Sequence, residues 1–179
     1  MNKKRKTLIA LLSFVIFLAI AGAAYQYLSN VFDPNSSLNT KKIAAADFTV
    51  LDADGNEVKL SDSFGKPIVL NFWASWCTPC QREMPHFEKV YPEVKEDVVF
   101  LIVDLADGIR ESTETGSRFI EENDYSFPVF FDTKQEAAKA YKITAIPTTF
   151  FIDKDGNIVS DYQGALNEKK LLERIEAIR

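Results

Sequence analysis

Cysteine and histidine are almost absent from this chain: its 179 residues hold two cysteines, Cys77 and Cys80, and one histidine, His86. So small an inventory excludes a scaffold stapled by several disulfides. It also leaves a tetrahedral zinc site, which wants four nitrogen or sulfur ligands, without its set. A purely structural bridge between the two cysteines is the other plain reading, but closing so short a loop would restrict the unfolded chain very little. Internal repeats and low-complexity tracts are missing too, and the length fits one ordinary domain with an appendage.

Acidic residues are missing from the start of the chain, where Lys3, Lys4, Arg5 and Lys6 precede 22 residues, Thr7 to Leu28, that carry no formal charge. As a helix such a run extends about 33 Å, enough for the ~30 Å hydrocarbon core of a bilayer. The basic cluster orients it: residues 1–6 are expected in the cytoplasm, 7–28 as a transmembrane signal anchor, and everything beyond outside the cell membrane. Tyr25 and Tyr27 fall where an interfacial aromatic belt belongs. Ala21-Gly22-Ala23-Ala24 offers the small residues of a cleaved secretory signal, but the apolar run is longer than such signals need, which favours the uncleaved anchor. With no cysteine closing the run, a lipid-modified anchor is not supported.

Beyond Leu28 the balance is 17 basic to 26 acidic residues, a net charge of −9. That argues against nucleic acid, or an anionic membrane surface, as a partner. Residues 29–46 have no sustained periodicity and read as a tether, leaving 47–179 as the folded domain.

What is present is concentrated in Ile68 to Pro85, IVLNFWASWCTPCQREMP, which contains both cysteines. Ile68 to Trp73 is apolar enough for a buried central strand. If a helix begins at or just after Cys77, Pro79 falls in its first turn, where a missing N–H is harmless, and Cys80 lies one turn beyond Cys77. The helix dipole and unpaired N–H groups then favour the Cys77 thiolate, making Cys77 the nucleophile and the more exposed sulfur. Cys80 is placed to attack the mixed disulfide that Cys77 forms. Met84, Phe87 and Tyr91 continue one apolar stripe from Cys80, and Pro85 should bend the helix.

Around this centre, 48–51 and 57–60 flank Asp52-Ala53-Asp54-Gly55-Asn56 as a hairpin, and 148–152 and 158–162 flank Asp153-Lys154-Asp155-Gly156-Asn157 as another. Val98 to Val103 reads as a strand buried on both faces and Phe127 to Phe131 as a short strand. Helices are expected around 116–123, over 136–141, and from an Asn167 N-cap onward. Strands alternating with helices, then an antiparallel hairpin and a last helix, predict a three-layer α/β sandwich with a mixed sheet.

Asn71 to Cys80, NFWASWCTPC, resembles the active-site segment of thioredoxins, and Ala145 to Phe150, AIPTTF, resembles their cis-proline segment. Within that superfamily the chain is similar to the membrane-anchored TlpA/ResA-like thiol-disulfide oxidoreductases, through the anchor, Glu83-Met84-Pro85 and the insertion from Asp107 to Asp132. The resemblance implies a thioredoxin-like sandwich with an N-terminal hairpin and a central insertion. It also implies a cis Ile146-Pro147 bond lying against the cysteines, where the backbone can pair with an extended substrate segment. Substrate contacts are expected from Trp76, Thr78, Pro79, Ile146 and Pro147; Trp76 as a core residue and Pro147 as an ordinary trans proline are the plainer alternatives.

Where ordinary thioredoxins carry a buried aspartate, this chain has Asn71, which takes no proton, and the resemblance points to Glu83 as the acceptor of the Cys80 proton. The alternative for Glu83 is an exposed first-turn acid that only favours the helix dipole. Trp73 is read as core, and His86 as a solvated helix residue without a role. The redox-active disulfide is the expected working group, with no bound cofactor. The implied partners are protein thiols or disulfides, apocytochrome c among them, and an integral-membrane thiol carrier as electron donor. The family mostly reduces, yet ~30 mV corresponds to only about 1.4 kcal/mol, so Thr78-Pro79 does not fix the direction. A thiol peroxidase and a non-enzymatic copper-binding assembly protein on the same fold are the rival readings. The first wants Thr and Pro upstream of its cysteine, and the second wants a histidine beyond His86.

Overall fold

The computed structural model describes residues 16–18, 20–22 and 43–179. The cytoplasmic segment 1–6, most of the anchor 7–28 and the tether as far as residue 42 lie outside the described residues. Among the described residues no helix is long and apolar enough to cross a membrane.

The strands are β1 (Ile43–Ala44), β2 (Thr49–Leu51), β3 (Glu57–Lys59), β4 (Ile68–Trp73), β5 (Val99–Asp104), β6 (Val129–Phe131), β7 (Thr148–Ile152) and β8 (Asn157–Gln163). The helices are α1 (Thr78–Val94), α2 (Thr113–Glu122), α3 (Glu136–Ala140) and α4 (Glu168–Glu176). One mixed sheet holds all eight strands in the order β1-β8-β7-β4-β5-β6-β2-β3. β4 lies at its centre, parallel to β5 and antiparallel to β7, and all six of its residues are buried.

Alternation along β4 divides the core in two. Val69 and Trp73 join Met84, Phe87 and Val90 of α1 and Leu171 and Ile175 of α4 on one face. Ile68, Leu70 and Phe72 pack on the other with Phe48, Val50, Leu60 and Tyr141. This is the expected three-layer sandwich, and Asn71, of the same parity as Val69 and Trp73, is the polar residue that β4 sends toward α1.

Several boundaries differ from the sequence reading, and three of them have a clear local reason. β1 lies inside the stretch read as tether, its two residues pairing antiparallel with Ile158 and Asn157, too short to show a period. α2 starts at Thr113 rather than near Gly116 because Ser112 caps it: the Ser112 hydroxyl accepts the Thr115 N–H while Thr115 Oγ1 accepts the Ser112 N–H. β6 starts at Val129, after Pro128, which has no N–H for a ladder. α1 runs unbroken through Pro85 and Pro92, both on its exposed side, where water can take the carbonyls they leave unpaired.

Candidate active site

Cys77 is the N-cap of α1, with Pro79 in the first turn, and the chain leaves the carboxyl end of β4 directly into it. Cys77 and Cys80 are joined in a disulfide, their Cα atoms 5.2 Å apart. The Cys80 N–H points at Cys77 Sγ from 3.3 Å, so in the open form a thiolate there would receive a backbone hydrogen bond at the positive end of the helix. Cys77 is 4% exposed and Cys80 not at all, so only the first sulfur can be approached.

Ile146-Pro147 is a cis peptide bond, and the Ile146 carbonyl oxygen lies 3.7 Å from Cys77 Sγ. The loop before β7 therefore covers the pair as the resemblance implied. Trp76 is 43% exposed, which removes it from the core, whereas Trp73 is fully buried. Between Trp76 and the cis-proline loop runs a groove of about 190 Å³, lined in part by Leu105, Arg110, Ile143 and Ile146. Thr78 is exposed and Pro79 half-buried on the turn between the sulfurs, beside the groove but outside its lining.

Glu83, one turn beyond Cys80, is fully buried, which overturns the picture of an exposed first-turn acid. One carboxylate oxygen accepts the Asn71 side-chain amide at 2.9 Å and the other the Leu166 backbone N–H at 2.9 Å. The Asn71 amide also donates to Thr149 Oγ1 at 2.9 Å. Burial raises the Glu83 pKa to about 7, against the opposing pull of those two donors. The resemblance to thioredoxins singled out Asn71, which stands where they carry a buried aspartate, but Thr149 and the Leu166 N–H, which come from distant segments, were missed. His86 is half-buried rather than solvated, with its Nδ1 enclosed and unpartnered, and it approaches none of these groups by any hydrogen bond. Among the described residues no three His, Cys, Asp or Glu side chains converge as a metal-ligand set.

A Cys-x-x-Cys pair capping a helix, covered by a cis-proline loop and backed by a buried acid, defines a thiol-disulfide oxidoreductase of the thioredoxin fold. Comparison with known proteins agrees. The model of the AhpC/TSA family matches residues 42–160. The thiol-disulfide oxidoreductase ResA of Bacillus cereus is 34% identical over 165 residues, 92% of this chain and 93% of the relative. ResA of Halalkalibacterium halodurans is 36% identical over 176 residues, 98% of this chain and 97% of the relative. Among solved structures, the pneumococcal exposed lipoprotein thioredoxin Etrx1 of Streptococcus pneumoniae is 31% identical with a TM-score of 0.65, covering 73% of this chain and 98% of that one. The chain belongs to the AhpC/TSA family, and within it stands with the ResA-like thiol-disulfide oxidoreductases.

Proposed function

We propose that the enzyme works outside the cytoplasm, held by its N-terminal segment, and that it reduces protein disulfides. The observation that carries the mechanism is the buried Glu83 one turn beyond a buried Cys80, behind a bridged pair whose first sulfur alone reaches the surface. The Cys77 thiolate attacks a substrate disulfide; one substrate sulfur leaves as a thiolate and the other stays bound to Cys77. Glu83 takes the proton of Cys80, and the Cys80 sulfur attacks Cys77, expelling the second substrate sulfur. The substrate gains two electrons and the enzyme is left bridged. Trp76, Ile146 and Pro147 hold the substrate segment across Cys77, with Thr78 and Pro79 at its edge.

Electrons to reopen the bridge come, in this reading, from an integral-membrane thiol carrier. The charge pattern of residues 1–28 supports the location, and the family resemblance supports apocytochrome c as a substrate. The midpoint potential of the Cys77/Cys80 pair tests the direction: about −300 mV agrees with a reductant, and about −120 mV would make it an oxidant.

Cys80→Ser should stall the cycle at the mixed disulfide, so that non-reducing gels show adducts through Cys77 that dithiothreitol releases. Adducts equally abundant in Cys77→Ser would contradict the assigned order of attack. The peroxidase reading predicts fast consumption of hydrogen peroxide, whereas Thr78 and Pro79 lie between the cysteines rather than upstream of the first. Peroxide should therefore oxidise the reduced protein no faster than it oxidises a small free thiol.

A further inference from the structure

Ser75, two residues before the nucleophile, is held at every polar group it has. Its backbone N–H donates to Glu111 Oε2 at 2.7 Å, and its hydroxyl lies 2.8 and 3.0 Å from the two oxygens of the same carboxylate. Its carbonyl accepts the Gln81 side-chain amide, from the first turns of α1, at 2.6 Å. Glu111 is 2% exposed and takes a further hydrogen bond from Thr115 Oγ1 of α2. A buried carboxylate this fully supplied with donors, most of them from one residue, is committed to that residue.

The turn that presents Glu111 is itself fixed from within. Asp107 Oδ1 accepts the N–H groups of Ile109 and Arg110 at 2.8 Å each and that of Glu111 at 3.2 Å. The Gly108 N–H closes the turn on the Glu111 carbonyl at 2.8 Å. The residue before Glu111 grips the residue after Ser75: the Arg110 guanidinium stacks 3.7 Å over the Trp76 ring. The insertion after β5 thus holds both residues that lead into Cys77.

We infer that Glu111 is a positioning residue for thiol exchange, which keeps the loop from Ala74 to Cys77 in the geometry that brings the two sulfurs together. Ring closure between two cysteines depends on how much freedom the connecting backbone must lose. With Ser75 pinned, that freedom is already gone in the open form. Without the pin, closure of the bridge and attack by Cys80 on the mixed disulfide both become less favourable, while the cysteines themselves are untouched.

The test compares the folded full-length protein with Glu111→Ala, Ser75→Ala and the double variant, reading the Cys77/Cys80 midpoint potential and the lifetime of a preformed mixed disulfide. Glu111→Ala should lower the closure equilibrium about tenfold, a rise of about 30 mV in potential for a two-electron couple, and lengthen the mixed-disulfide lifetime to a similar extent. Ser75→Ala, which loses only the hydroxyl contacts, should shift both the same way by less, and the double variant no further than Glu111→Ala alone. A residue that merely stabilises the fold would lower the melting temperature and leave the potential where it was. Unchanged potential and lifetime in Glu111→Ala would overturn the inference, as would additive shifts in the double variant; should Glu111→Ala not fold, an unchanged potential in Ser75→Ala overturns it equally. The readout does not depend on the direction in which the pair works.

Discussion

Glu83→Gln is expected to slow release of the mixed disulfide about a hundredfold above pH 7 and to flatten its dependence on pH, the lower end of what a positioned general base supplies. In the unmodified protein the Glu83 pKa is raised to about 7 by burial, so below that value the carboxyl is protonated and cannot take the Cys80 proton. Above it the carboxylate can. The rate should therefore climb through about pH 7 and level off, apart from the separate titration of the sulfurs. Glutamine keeps the shape but not the basicity.

The surroundings tolerate that change. The Asn71 side-chain oxygen is buried without a partner, and turning the Asn71 amide by half a rotation presents that oxygen to the new amide and to the Thr149 hydroxyl, the Asn71 NH2 taking over the unpartnered position. The remaining glutamine oxygen still accepts the Leu166 N–H. Following release of a chromophoric thiol from a preformed mixed disulfide between pH 5.5 and 8.5 measures the effect, and superimposable profiles for the two proteins would remove Glu83 from the mechanism.

The same residue shows where sequence stops being informative. The sequence left Glu83 open between the proton acceptor that the resemblance implies and an exposed first-turn acid, because its neighbours in the fold are Asn71, on the preceding strand, and Leu166, eighty-three positions away. Only the folded packing brings them together. By contrast β4 and the start of α1 were legible because the signals are local: a run of apolar residues and a proline suited to a first turn. Both hairpins were legible for the same reason. Asp52 Oδ1 accepts the N–H groups of Asp54 and Asn56, and Asp153 Oδ1 those of Asp155 and Asn157, so each turn is written entirely in its own five residues. Glu111 was missed because a polar turn gives no sign that one of its carboxylates points inward.

Asp104 was hidden in another way, as the last residue of an apolar strand, and it carries the other large expected effect. Asp104→Asn should leave the pH dependence of stability markedly weaker than in the unmodified protein, with the gap opening as pH rises. Asp104 is fully buried, and neither carboxyl oxygen has a hydrogen-bond partner. α2 crosses so close that a Cβ on Gly116 would stand 1.8 Å from Oδ2, which is why that helix position needs glycine. Burial first, then the charges of Glu111 and Asp107, push the Asp104 pKa up to about 9. In the unfolded chain the same carboxyl ionises near 3.8. Between those values the folded protein keeps a proton that the unfolded chain has lost, so stability falls as pH rises, by at most ~1.4 kcal/mol per pH unit. The ceiling at pH 8 is roughly 6 kcal/mol, and local relaxation and water entry bring the expected difference to about 2 or 3. Asparagine in its place does not titrate. Glu83, also raised, is common to both proteins and cancels in the comparison. Urea unfolding of the two proteins at pH 5 and pH 8 measures the gap: it should widen by kilocalories in favour of the asparagine variant, and a gap that stays constant would mean that Asp104 is ionised in the folded protein and has found a partner there.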